Sequence, residues 1–268
     1  IIPAPYWVSY IEIVKMAGGI PVIIEAGIEQ DFKINAAQLT EAISQKTKLF
    51  IFSSPCNPTG SVYSATELRS LAQVFAKHPN IIALSDEIYE HICFEGSHTS
   101  LAHFDEIFDQ VVTVNGVSKA WAMTGWRLGY IGASKRIADA CNKIQGQFTS
   151  GTSSITQRAA IVAMLEDPSC LSEMVDTFRR RRDLVLSYLK KIPGVKCNLP
   201  TGAFYLFPDV SYYFGSSDGT KIIANGDDLC MYLLRVGNVA LVDGKGFGAP
   251  NCIRISYAAS EEQLKKAM

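Results

Sequence analysis

Two stretches, 81-IIALSDEIYEH-91 and 111-VVTVNGVSKAWAMTGWRLGY-130, decide how this chain is read. Each opens with a short apolar run rich in Ile and Val and then turns polar, at Asp86 in the first and at Ser118-Lys119 in the second. A continuous apolar run of that length, closed by turn residues, is the pattern of a strand buried on both faces. Working outward, 20-IPVIIEA-26, 48-KLFIFSS-54 and 128-LGYIGA-133 repeat the pattern. Amphipathic stretches at 36–45, 64–77 and 134–146 lie between them. Asn35 and Ser64 are suitable N-caps, and Glu67, three residues after Ser64, completes a capping box. Strands alternating with helices predict an α/β fold with a mostly parallel sheet and helices on both faces.

From 153 to 191 the pattern is helical, broken at Asp167-Pro168 and ended by Pro193-Gly194. Shorter strand patterns follow in 202-GAFYLFP-208, 239-VALVDG-244 and 252-CIRISYA-258, with a loop from Gly215 to Asn225. This predicts a large domain over 1–175 and a smaller α+β C-terminal domain over 176–268. The chain opens at Ile1, directly into sequence that reads like the interior of a domain. We therefore expect a longer natural protein, with the large domain incomplete at its N-terminus and the small one cut short at Met268.

Composition narrows the function classes. The 268 residues are 48% hydrophobic, enough for a sizeable core, and the net charge of −1 comes without basic blocks. That argues against a nucleic-acid partner, which calls for a clustered positive face. The run Arg179 to Arg182 circles a helix and is expected to be a solvated face with some inter-subunit pairing. No apolar run reaches membrane-spanning length. The seven cysteines are odd in number and none are spaced Cys-x-x-Cys, so no metal site is expected. Reduced thiols in the cytoplasm are the plain expectation.

Ligands of open α/β sheets sit beyond the carboxyl ends of the strands. The polar residues there are Asn57, Asp86 and Ser118-Lys119, with Arg127 eight residues past the lysine. This set is odd for a core but suits pyridoxal 5′-phosphate. The cofactor needs a lysine amine for its aldehyde, a carboxylate for its ring nitrogen and an arginine for its phosphate. The simpler roles stay open: a surface lysine, a turn cap at Asp86, a turn residue at Asn57, a surface ion pair at Arg127.

With 53-SSPCNPTG-60, 85-SDEIYEH-91, 114-VNGVSKAWAMTGWRLGY-130 and 252-CIRISYA-258 in this order, the chain resembles the fold-type I, class I aminotransferases. The segments 5-PYWVSY-10 and 86-DEIYEH-91 further resemble their bacterial aspartate aminotransferase branch. The resemblance implies that Lys119 carries the cofactor and shuttles the substrate proton, and that Asp86 pairs with the ring nitrogen. Tyr89 and Asn57 meet the phenolic oxygen, Arg127 takes the phosphate, and Trp7 stacks on the ring. Arg254 clamps the substrate α-carboxylate, and an unusual X-Pro bond near Pro58 aims Asn57. It also implies a homodimer and ping-pong transfer between an amino acid, aspartate favoured, and a 2-oxo acid. Gly116 stands where many relatives have a phosphate-binding hydroxyl residue, for which Ser118 is the candidate substitute. Asp243 and Asn251 replace a common proline and glycine. Two alternatives remain: the same cofactor acting on aromatic or kynurenine-like amino acids or in a β-lyase, and a non-catalytic effector domain of a transcription regulator.

Overall fold

The computed structural model describes residues 1–268. The central sheet holds β3 (Leu49–Ser53), β4 (Ile82–Asp86), β5 (Val111–Gly116) and β6 (Gly129–Gly132) in that order. The first three strands are parallel, and β6 runs antiparallel to β5 at the edge. A parallel pair, β1 (Ile2–Ala4) and β2 (Ile23–Glu25), abuts β3. There the Ile51 amide donates to the Ile1 carbonyl at 3.0 Å and the Ile1 amine donates to the Leu49 carbonyl at 2.7 Å.

Alternation along β3 builds both faces. Phe50 and Phe52 enter a core with Leu39 of α2 (Ala36–Ala42) and Leu68, Leu71 and Phe75 of α3 (Ala65–Phe75). Ile51 points the other way and packs with Ile2, Ala4, Tyr6 and Tyr10, the last on α1 (Ser9–Met16). Period-two side chains thus demand cover on both sides of the sheet. Both expected caps form, each as a full capping box, Asn35 with Gln38 and Ser64 with Glu67.

Beyond β6 come α4 (Lys135–Phe148), α5 (Ser154–Leu165) and α6 (Ser172–Leu189). The break foreseen at Asp167-Pro168 is real: Asp167 accepts from the Ser169 amide at 2.8 Å and starts a short 3-10 turn. A three-stranded antiparallel sheet follows, ordered β7 (Tyr205–Leu206), β9 (Ile253–Ser256), β8 (Val242–Asp243), with α7 (Gly226–Tyr232) and α8 (Glu261–Ala267).

Several expectations need correction. The strand expected over 20–26 shrinks to Ile23–Glu25, with Ile20 exposed, and β1 and α1 carried no local signal strong enough to read. The arginine run is not a solvated face throughout. Arg182 is buried, donates through Nη1 to the Pro200 carbonyl at 2.8 Å and lies over the Phe94 ring. Its neighbours on the helix are amphipathic enough to mask this: only burial of the stem against another segment distinguishes such an arginine.

Leu71 is 1% exposed in the core between α3 and the sheet. Leu71→Ala is expected to destabilise the full-length protein by about 2–5 kcal/mol, read as a lower denaturation midpoint at unchanged slope.

Candidate functional site

The parallel strands end side by side, so their last residues share one edge. Asp86 closes β4, and the chain then turns tightly: the Ile88 amide donates to Asp86 Oδ1 at 3.2 Å. Oδ1 of Asp86 thus caps this turn. Its other oxygen, Oδ2, accepts from the Tyr10 hydroxyl at 2.6 Å. Burial pushes the Asp86 carboxyl above its ordinary range, while the Tyr10 and Ile88 hydrogen bonds pull it back. Tyr10 is itself buried, which with the adjacent carboxylate holds its hydroxyl well above the usual tyrosine range, so it stays a donor.

The next residue, Glu87, does something else. Its Oε1 accepts from Ser85 Oγ, Ser100 Oγ and the Leu101 amide, and His98 Nε2 lies 3.0 Å from Oε2. Glu87, Glu90 and His98 bring ligand-type atoms within 4.8 Å of one another. Glu87 is already satisfied by those donors, and Glu90 by Asn115 Nδ2 at 2.7 Å, so this cluster is a hydrogen-bonded support for the end of β4.

Lys119 follows β5 and is half-buried, with its Nζ 5.6 Å from the centre of the Tyr89 ring. Burial lowers its pKa; Asp86 opposes that, and Arg127 and Arg254 reinforce it. Those three charges therefore lie near enough to act on the amine. Lys119, Arg127 and Arg254 each lack a carboxylate partner within ion-pair distance. The surface ion pair that could have explained Arg127 is absent: the residue is exposed and left-handed (φ 55°), and Nη1 donates to the Thr124 carbonyl at 2.8 Å. Thr124 in turn donates to the Ser118 carbonyl at 3.0 Å, which joins Ser118 and Arg127 in one loop.

Arg254 comes from β9, across the structure. Its guanidinium carbon lies over the Tyr205 and Phe247 rings, 4.7 and 5.0 Å from their centres. Its Nη1 donates to Asn57 Oδ1 at 2.9 Å, and Nε is buried without a partner. Asn57 is buried and precedes a cis proline, as the resemblance implied. The two segments meet because Gly60 (φ 67°) lets them: an added Cβ would sit 2.5 Å from Pro200 Cβ, and the Gly60 carbonyl accepts from the Thr201 and Gly202 amides. Tyr89 is buried and shares a hydrogen bond with Tyr205 at 3.0 Å, hydroxyl to hydroxyl. Trp7 is 39% exposed and meets Tyr10 edge-on at 5.6 Å. Gly116 has a steric reason: a Cβ there would stand 2.8 Å from the Leu128 carbonyl on the approach to β6.

The fold thus gathers Asn57, Asp86, Tyr89, Lys119, Arg127 and Arg254 at one edge, with Trp7 joined through Tyr10 and Ser118 through Thr124. Tyr10 and Tyr205 escaped the sequence reading. Both sit in apolar runs where a tyrosine reads as core, and only their hydroxyl partners set them apart. The set is cationic, with one half-buried carboxylate and an arginine Nε without a partner, which suits a ligand bearing several negative charges and one protonated nitrogen.

A family model described as aminotransferase class I and II matches residues 1–268. The bifunctional aspartate aminotransferase and glutamate/aspartate-prephenate aminotransferase of Petunia hybrida is 49% identical, covering all of this chain and 57% of its own length. The aspartate/prephenate aminotransferase of Nitrosomonas europaea is 43% identical, over 100% and 68%. The crystal structure of the aspartate aminotransferase from Rhizobium meliloti superposes with a TM-score of 0.95 and 42% identity, over 99% of this chain and 67% of that one. The chain spans a little over half the length of the plant relative and about two thirds of the bacterial ones.

Tyr10→Phe removes a donor from the charged form of Asp86, so the Asp86 pKa rises further. The acid limb of pyridoxal phosphate affinity is expected to move up by about one pH unit, from a hydrogen bond to a charged group of about 1.5 kcal/mol. A pH series of cofactor binding to the full-length protein measures it.

Proposed function

Because this chain belongs to the aminotransferase class I and II family, we propose that it forms most of the site of an enzyme moving an amino group between aspartate and a 2-oxo acid. The observation that carries the reading is the convergence of three cations without ion-pair partners, Lys119, Arg127 and Arg254, around the half-buried carboxylate Asp86. Pyridoxal 5′-phosphate is the cofactor of this family, and when bound it supplies an electron sink for a substrate carbanion. Asp86 would hold its ring nitrogen protonated, Asn57 and Tyr89 would meet its phenolic oxygen, and Trp7 would cover its ring face. Arg127 and Ser118 would meet its phosphate.

Arg254 binds the substrate α-carboxylate through the edge it does not spend on Asn57, where the open Nε supplies a second N–H for a planar two-oxygen partner. Its two aromatic walls fix the guanidinium plane before substrate arrives. Lys119 Nζ would take the proton from the substrate Cα and hold it for return on the cofactor side of the site. The desolvation that lowers its pKa raises the neutral fraction this step needs. With one site serving the amino acid and the 2-oxo acid in turn, ping-pong kinetics are expected.

Aspartate is the favoured donor because the relatives from Petunia and Nitrosomonas carry it in their names. The same names support prephenate, itself a 2-oxo acid, as an acceptor, and this is the second reading of specificity. A purely regulatory domain is disfavoured by the retention of Lys119, Asp86 and Arg254 together. Residues 1–175 form the large domain and 176–268 the small one, a division supported by the separate antiparallel sheet of the latter. A homodimer is supported by exposed apolar side chains on α1 and α5, among them Ile13, Met16, Ile155, Val162 and Leu165. A reducing compartment, the cytoplasm, is supported by seven free thiols. No helix is long and apolar enough to cross a membrane.

Borohydride reduction of the cofactor-loaded full-length protein is expected to fix the label on Lys119, and Lys119→Ala to lose both the label and transamination. A labelled peptide elsewhere overturns the assignment. Arg254→Ala is expected to lower kcat/KM for aspartate by roughly 10²-fold or more, from the 2–5 kcal/mol cost of unpairing a buried carboxylate. Steady-state kinetics with aspartate and 2-oxoglutarate measure it.

A further inference from the structure

Resting on the reading above, we infer that Tyr205 is a positioning residue that joins the substrate-carboxylate arginine to the cofactor-facing tyrosine. Its ring forms one wall of the Arg254 sandwich, 4.7 Å from the guanidinium carbon. Its hydroxyl, 3.0 Å from that of Tyr89, is buried with it. Phe247, the other ring beside this guanidinium, carries no hydroxyl.

The hydrogen count gives the pair a direction. Two hydroxyls sharing one hydrogen bond have one proton left over. When Tyr89 spends its proton on an anionic oxygen of the cofactor, the bond between the two rings runs from Tyr205 to Tyr89. The chain is then Tyr205 to Tyr89 to ligand oxygen, in which each donor strengthens the next. The charged and titratable groups around this chain are Arg254 on β9, Lys119 against the Tyr89 ring, Asp86 at the end of β4 and Tyr257 just past β9. Arg254 favours a strongly donating Tyr205, so a carboxylate bound to Arg254 weakens that donor and is felt at the cofactor oxygen.

Local structure holds Tyr205 in place from both sides. On β7 it is paired with Ser256 of β9, two residues from Arg254. Just before it, the Ala203 amide donates to the Ile92 carbonyl at 2.9 Å and the Phe94 amide to the Thr201 carbonyl at 2.8 Å, tying it to the segment that carries Tyr89.

The test compares Tyr205→Phe with Tyr205→Leu in the cofactor-loaded full-length protein, with folding of each checked by circular dichroism and thermal melting. Tyr205→Phe keeps the wall and removes the hydroxyl. The cofactor oxygen then loses support for its charge and becomes more basic. The pH midpoint of the visible cofactor band is therefore expected to move up, by about 0.5 unit, while KM for aspartate changes less than about twofold. Tyr205→Leu also removes the wall, and KM is expected to rise roughly tenfold. An unmoved midpoint in Tyr205→Phe, or a rise in KM equal to that of Tyr205→Leu, overturns the inference alone. A wild-type protein with no cofactor band overturns the functional reading and the inference with it.

Discussion

Positive charge concentrated beyond the carboxyl ends of parallel strands is the constraint around which the structure is arranged. Arg127 and Arg254 both act on Lys119, with one half-buried carboxylate, Asp86, among them, and Asp86 bonds to a tyrosine and a backbone amide instead of to any of the three. Like charges gathered in one place are costly unless an anion joins them. A fold that maintains such a set is built to receive an anionic ligand, and much of the surrounding detail serves to hold the set open.

The holding is done by contacts between segments remote in sequence. Glu87, saturated with donors, fixes the end of β4 so that Asp86 faces outward. The loop around Gly60 receives Thr201 and Gly202 at van der Waals limits, which brings the small antiparallel sheet against the large one and Arg254 to Asn57. Because this junction uses backbone amides and a residue without a side chain, it leaves little play. Arg254 on the small sheet and Asn57 beside the large one are thereby held in one frame.

The electrostatics divide the work between residues of similar type. Asp86 and Glu87 are adjacent carboxylates, yet Glu87 is surrounded by neutral donors and a histidine, whereas Asp86 keeps a partly open face. Arg182, buried, and Arg254, half-buried, both lie over aromatic rings, but Arg182 meets a carbonyl and Asp183, while Arg254 retains an Nε without a partner. Unspent bonding capacity, not residue type, is what sets Asp86 and Arg254 apart from these neighbours.

The chain sequence by itself determined the α/β class, the strand ends that carry Asp86, Lys119 and Asn57, and the family resemblance, because these rest on local periodicity, turn chemistry and short motifs. It also marked the caps at Asn35 and Ser64 and the break at Asp167-Pro168, all local backbone matters. It left Tyr10 and Tyr205 indistinguishable from core aromatics, misjudged Arg182, and overextended the strand at 20–26. Those decisions belong to tertiary structure. Tyr10 finds Asp86 across 76 residues, Tyr89 finds Tyr205 across 116, and Arg254 finds Asn57 across 197. No local signal encodes a partner at that distance; it exists only once the packed elements bring the two side chains together and exclude the water that would otherwise satisfy them.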